Sequence, residues 1–283
     1  MKEVPSYAGS RMNLPFLALA TLLVCMHSSP ATLVQIGYYA TFALLVGGVA
    51  VAMVRSRSSR SWIDAIALLA FVGLTGLEFW FAAEEPQGAP EMLTSSQVLA
   101  AALLQLQFGF IALLYLAVTR RPPWKPMTEP RLPWVKSLKM GALGLVAAVV
   151  GMKVAEWVLY GFVLDRAPPD ASDQLVVQSL LQSDNATLRW AIVVAAGVVA
   201  PVVEEMLYRG FLLRLCHGLM GSGLALGISS AVFALAHNDA FLTVPLLLLG
   251  LALGRTYEVT GRLSVPILMH AAFNLLNLWM LME

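Results

Sequence analysis

Within Ala200–Leu215, APVVEEMLYRGFLLRL, three ionisable residues, Glu204, Glu205 and Arg209, interrupt a stretch otherwise apolar enough to lie in a lipid bilayer. A charge at the middle of a membrane helix costs roughly 2.5–3.5 kcal/mol on insertion scales, so a chain that keeps three within six residues must compensate them. On a helix, Glu205 and Arg209 are four apart in the favourable acid-first order and can neutralise each other. Glu204 is turned about 100° away from Glu205, and Leu207 and Tyr208 occupy the positions from which a base could reach it. It is the carboxylate left over. An acid without a basic neighbour, shielded from water, suits a proton acceptor near neutral pH. The plainer alternative is that both acids only brace neighbouring helices through backbone hydrogen bonds.

The remainder of the chain places this stretch in a membrane. Of its 283 residues 59% are hydrophobic and 12% charged, too little polar surface for a soluble globule of this length. The net charge of +1 says nothing about nucleic acid, but no long basic block or interleaved basic-aromatic surface appears, and no nucleic-acid partner is expected. Cys25 and Cys216 offer neither a disulfide framework nor a CxxC metal site and read as packing residues. Allowing about 20 apolar residues per span, the pattern predicts an all-α, polytopic bundle of eight or nine helices, near 13–28, 31–54, 61–83, 98–119, 138–163, 190–215, 223–238, 241–258 and 264–282. Lys2 and Arg11 ahead of Leu14–Met26 resemble a signal peptide, but the many later spans favour a retained first helix.

Loop charge orients the bundle. Arg55, Arg57 and Arg60 fill one connection and Arg120, Arg121, Lys125, Arg131 and Lys136 another, whereas 84–97 and 165–188 are acidic or neutral. The positive-inside rule then places the N-terminus, 55–60, 120–137, 214–222 and 255–262 in the cytoplasm, consistent with a multi-pass protein of the cell (plasma or inner) membrane. Prolines at 122, 123, 126, 130 and 133 forbid a continuous helix there. The expected division is therefore residues 1–137, about four helices plus a Pro-rich cytoplasmic linker, and residues 138–283, which hold every candidate site group. A short amphipathic stretch near Leu175–Leu181 is expected along the outer surface.

Asp64 and Glu78 read as helix-end charges and Lys153 with Glu156 as a neutralised pair in the bundle. Asn185-Ala186-Thr187 fits a glycosylation sequon that chance often produces. Two of the four histidines are more telling. His237 ends SSAVFALAH with Phe233 a turn before it, and His270 opens a stretch with Asn274 a turn later. From the cytoplasmic anchors, upright helices would put Glu204 about 15 Å deep, His237 about 22 Å and His270 about 12 Å, so His237 demands a tilted or broken helix, which Asn238-Asp239 would mark. A Glu with a His can hold and deprotonate water, while a second His and an Asn can donate to a developing oxyanion. Glu204, His237 and His270 also suit a zinc ion, with a fourth position for water.

In order, Glu204-Glu205-x-x-x-Arg209, Phe233-x-x-x-His237 and His270-x-x-x-Asn274 resemble the CPBP family, the CAAX proteases and bacteriocin-processing enzymes, also called type II CAAX prenyl protease-like or Abi proteins. The resemblance covers roughly 190–282. It implies an intramembrane endopeptidase in which the residue matching Glu204 activates water with the one matching His237. Those matching His270 and Asn274 would form the oxyanion hole, and Glu205 and Arg209 would support the site. The substrate would be a membrane-associated protein or peptide. The family is described both as metalloproteases and as metal-independent glutamate proteases, and Asn274 favours the latter. Two other classes compete: a non-proteolytic membrane scaffold or chaperone, and a proton-coupled transporter, for which the halves lack matching repeats.

Overall fold

The computed structural model describes residues 64, 66–67, 71, 93–118, 131–163, 175–237, 239 and 242–282, and every regular element among them is helical. The expected helices at 13–28 and 31–54, most of 61–83, Glu78, Cys25, the linker at 120–130 and the segment 165–174 lie outside the described residues.

Seven helices carry the rest. They are α1 (Ser95–Val118), α2 (Trp134–Val158, continuing as the π-helical turn Leu159–Val163), α3 (Leu175–Gln182), α4 (Ala186–Met220), α5 (Ser222–Leu235), α6 (Thr243–Thr260) and α7 (Ser264–Met282). Three helical stretches, Trp134–Gly161, Ala186–Met220 and Ser264–Met282, are long and apolar enough to cross a membrane, and the chain is an integral membrane protein. α5 is shorter, and it is the one whose depth the sequence made doubtful.

Side-chain size decides how α2 packs. Ser137, Gly141, Gly144, Ala148 and Gly151 recur at alternating spacings of four and three and make one narrow seam of small residues. A Cβ on Gly141 would lie 2.8 Å from Val265 Cγ1, and one on Gly144 2.8 Å from Thr256 Oγ1, so α6 and α7 approach the backbone there. Without a hydrophobic drive between helices in lipid, this close approach supplies the dispersion contact that holds them. The other faces of α2 carry exposed Val135, Leu138, Leu143, Val146 and Val150, as lipid contact requires.

The long helix α4 is not uniform. Asn185 caps its start, its Oδ1 accepting from the amides of Thr187 (3.0 Å) and Leu188 (3.3 Å), and this local role accounts for the Asn-Ala-Thr triplet. Pro201 stands inside the helix. Lacking an N–H and crowding the carbonyl four residues back, it breaks the regular ladder. The helix responds with a π-helical turn over Ala195–Val199, returns to α over Ala200–Glu205, and turns π-helical again over Met206–Leu213. Both wide turns present a carbonyl to another helix. Ala196 accepts from Asn274 Nδ2 at 2.8 Å and Tyr208 from Ser229 Oγ at 2.8 Å.

The principal core joins α1, α4, α5, α6 and α7, with Leu212, Leu213, Ala225, Phe233, Leu249, Leu253 and Tyr257 fully buried. α3 buries Val177 and Leu180, Leu180 joining a second cluster with Val98, Ile192 and Leu278, while Ser179 Oγ accepts from the Leu93 amide at 2.9 Å. It therefore turns its apolar face into the bundle. The expected Lys153–Glu156 pair forms, though at the surface, and Asp64 is more buried than a helix-end charge need be. Asp64 is buried and accepts from the Tyr115 hydroxyl, and Lys153 pairs with Glu156 at 2.7 Å but on the outside of the bundle, its side chain 74% exposed.

Candidate active site

Three helices bring the singled-out residues together. Glu205 is fully buried on α4, and its Oε1 accepts from Arg209 Nη1 at 2.6 Å, one helical turn on, and from His270 Nδ1 at 3.0 Å, on α7. Arg209 Nη2 donates to the Gly250 carbonyl of α6 at 3.0 Å, and its guanidinium lies 4.6 Å from the Phe233 ring centroid. The two charges thus lose water but gain each other, a carbonyl, an imidazole and a π face. A pair satisfied in this way can persist in lipid.

Glu204 points elsewhere. Its Oε2 lies 4.0 Å from His237 Nε2 and 3.9 Å from His270 Nε2, too far for direct hydrogen bonds. That oxygen is buried and has no hydrogen-bond partner among the described residues. The side chain is 16% exposed and His237 33%, so the group borders an open edge instead of being sealed.

Each imidazole is aimed by its other nitrogen. His237 Nδ1 donates to the Phe233 carbonyl at 2.8 Å, which leaves Nε2 with a lone pair in the neutral ring. His270 Nδ1 is fixed by Glu205, so its Nε2 also faces Glu204. Phe233 packs edge-on against both rings, at 4.9 and 5.6 Å between centroids, and against Tyr208 at 5.3 Å. The helix breaks where the sequence requires it to: α5 ends at Leu235, and His237 sits in the turn beyond it. Asp239 holds the following turn, accepting from the Leu242 amide at 3.2 Å through Oδ1 and from Thr243 Oγ1 at 2.8 Å through its carbonyl.

Asn274 lies one turn beyond His270 on the same helix, with its Nδ2 on the Ala196 carbonyl. One amide hydrogen is engaged there and the second remains for another acceptor.

A zinc ion fits this arrangement poorly. Ligands about 2.0–2.2 Å from one tetrahedral zinc stand about 3.3–3.6 Å apart, closer than either Glu204–imidazole separation, 3.9 and 4.0 Å. Among the described residues no three His, Cys, Asp or Glu side chains form a group that could hold a metal ion.

This part of the chain now has a counterpart. Residues 186–276 match the family model of the type II CAAX prenyl endopeptidase Rce1-like proteins. No curated protein and no solved structure gives a match. The Rce1-like segment begins with α4 and ends within α7, so it contains Glu204, Glu205, Arg209, Phe233, His237, His270 and Asn274.

The Rce1-like segment also contains residues at the site that pattern reading passed over. A Cβ on Gly250 would meet Ser230 Cβ at 3.0 Å, Ser230 Cα at 3.1 Å and Phe233 Cδ1 at 3.2 Å, so only glycine lets the carbonyl that receives Arg209 come so close. Gly254, four residues on, meets Leu226 in the same way. The Gly250-x-x-x-Gly254 spacing inside an apolar helix was the available signal. Ser230 Oγ, like Glu205 Oε2, is buried with no hydrogen-bond partner among the described residues.

Proposed function

We propose that this protein is an intramembrane endopeptidase of the CAAX-protease type, cleaving a peptide bond in a membrane-associated protein or peptide. The observation that supports this most is the buried, unpartnered Glu204 Oε2 facing two imidazole nitrogens across gaps of 3.9 and 4.0 Å. Those gaps are of the size that one water, hydrogen-bonded to both sides, can bridge.

In this reading the water donates to Glu204 and to the Nε2 lone pair of His237. Its oxygen attacks the scissile carbonyl carbon while its proton passes to the Glu204 carboxylate. The carbonyl π electrons move to oxygen, and that oxyanion is received at the Nε2 side of the His270 ring and by the second amide hydrogen of Asn274. When the tetrahedral intermediate collapses, the C–N bond breaks and Glu204 returns the proton to the leaving amine. Glu205 contributes by position, since it fixes the far nitrogen of His270 and holds Arg209. The nine-span topology with a cytoplasmic N-terminus, and the division at residue 137, belong to the same proposal and rest on loop charge.

The test is a comparison of membrane peptides in strains carrying the wild type or Glu204→Gln. Specific uncleaved species should accumulate with the variant while its expression and membrane insertion stay unchanged. Identical peptide profiles would remove the hydrolase assignment and leave the scaffold, whereas cleavage by the purified variant at the wild-type rate would remove Glu204 from its role as the base.

A further inference from the structure

One end of the bundle carries a basic surface that the proposed chemistry does not use. Arg262 Nε donates to the Leu132 carbonyl at 3.0 Å and its guanidinium lies 4.4 Å over the Trp134 ring, while Arg214 donates to the Tyr257 hydroxyl at 2.9 Å. Ser222 donates to Glu258 at 2.7 Å. These bonds put the start of α2, the last turns of α4, the start of α5, the end of α6 and the start of α7 at one level. Glu258, the carboxylate there, is already engaged by Ser222 and by Arg255 at 3.2 Å. Lys136 and Lys139, one turn apart on α2, are exposed and form no ion pair among the described residues.

The neighbours of these lysines say what they meet. Val135, Met140 and Leu143 are exposed and, at about 100° per residue, fall on the same side of α2 as the two lysines, so apolar side chains stand beside and beyond the ammonium groups. Such a face is stable only against acyl chains, and lysines at its edge extend their stems along the apolar surface toward the headgroups. A zwitterionic headgroup would balance the charge only partly. A soluble anion would leave the apolar flank without a partner.

We infer that Lys136 and Lys139, with half-buried Arg262 near them, form a docking surface for the headgroup of an anionic phospholipid. Attraction to an anionic lipid surface is worth about a fivefold change in binding per lysine, so neutralising both should cost at least tenfold. The inference does not depend on the proteolytic reading.

The experiment uses the purified full chain in detergent micelles, titrated with dioleoyl phosphatidylglycerol or dioleoyl phosphatidylcholine while the unfolding temperature is followed. Phosphatidylglycerol should raise it at about tenfold lower concentration than phosphatidylcholine. The double variant Lys136→Gln/Lys139→Gln should lose most of that preference, and Lys136→Arg/Lys139→Arg should keep it. Lys153→Gln, on the same helix but near its other end, should also keep it. All these side chains are exposed, and the unfolding temperature without lipid checks that the variants fold. Equal responses to the two lipids, or an undiminished preference in the glutamine double variant, would overturn the inference. So would full reproduction of the shift by glycerol phosphate, which would identify a soluble-anion site.

Discussion

Adjacent in sequence, Glu204 and Glu205 should fail in different ways when altered, because one faces an opening and the other a buried cation. Glu205→Gln leaves Arg209 fully buried with its carboxylate gone, and breaking a buried pair from one side costs about 3–5 kcal/mol. The expected result is a large fall in unfolding temperature in detergent, with activity lost as a consequence. Glu204→Gln should change that temperature little, since its Oε2 has no hydrogen-bond partner among the described residues to lose. Equal destabilisation by the two substitutions would contradict the division of roles. Gly250→Ala adds a methyl at 3.0–3.2 Å from Ser230 and Phe233, part of it against backbone, and overpacking of this kind costs about 1–3 kcal/mol. Its unfolding temperature should fall and turnover with it, because the Arg209 contact to the Gly250 carbonyl must lengthen. Chelation tests the water-only chemistry directly: purified protein should remain active in excess chelator and contain less than one zinc per chain, whereas loss with chelator and recovery with zinc would put a metal between Glu204 and the imidazoles. The Glu205–Arg209 pairing and the isolation of Glu204 were legible in the sequence, because spacing on one helix settles both. The Glu205–His270 contact was not, since it joins residues 65 positions apart whose approach depends on packing.

At the level of elements, the two π-helical turns of α4 set the rotation of everything between them, including both glutamates. Their carbonyls at Ala196 and Tyr208 are satisfied only by other helices, through Asn274 and Ser229. Ser229→Ala removes a buried donor and leaves the Tyr208 carbonyl with a lost partner, which should lower stability by about 1 kcal/mol in thermal unfolding. Cysteine at the same position, a weak donor of similar size, should restore part of the loss. An effect of the two variants indistinguishable from wild type would mean that the wide turn holds itself. Helix positions were readable from apolar length: a helix stands near each of the six stretches expected from 98 onward, and three of them, Trp134–Gly161, Ala186–Met220 and Ser264–Met282, are long and apolar enough to cross a membrane. Pro201 announced an irregularity, but proline does not say whether a helix kinks, breaks or widens. That outcome was decided by what stands opposite. Likewise Asn238-Asp239 pointed to the break that lets His237 reach Glu204, whereas the inward turn of α3 depends on Leu180 finding Ile192 and Leu278.

For the molecule as a whole, the question is whether the Rce1-like segment can stand without the helices before it. Phe211 of α4 packs edge-on against Tyr115 at 5.2 Å and Phe71 at 5.5 Å, and Tyr208, also in contact with Phe71, passes the contact on to Phe233 at 5.3 Å. Ala112 and Leu116 of α1 lie in the same core as Leu212 and Leu213, and Asp64 is held inside it by Tyr115. The prolines at 122–133 suggest a division at residue 137, but a proline-rich linker need not mark where a core ends. Removing residues 1–130 would therefore uncover one side of the helix that bears Glu204, exposing aromatic surface shaped for protein and not for acyl chains. A fragment of residues 131–283 expressed alone should insert into membranes yet unfold at a lower temperature in detergent and be degraded faster than the full chain. Co-expression with a separate 1–130 fragment should restore both properties, because the contacts are made by packed side chains and do not require the connecting peptide. Tyr115→Ala in the full chain should reproduce part of the defect, since it deletes the Phe211 contact and the donor to buried Asp64 together. A 131–283 fragment as stable and as long-lived as the intact protein would show that the site is self-supporting and that the preceding helices serve some end other than holding α4 in place.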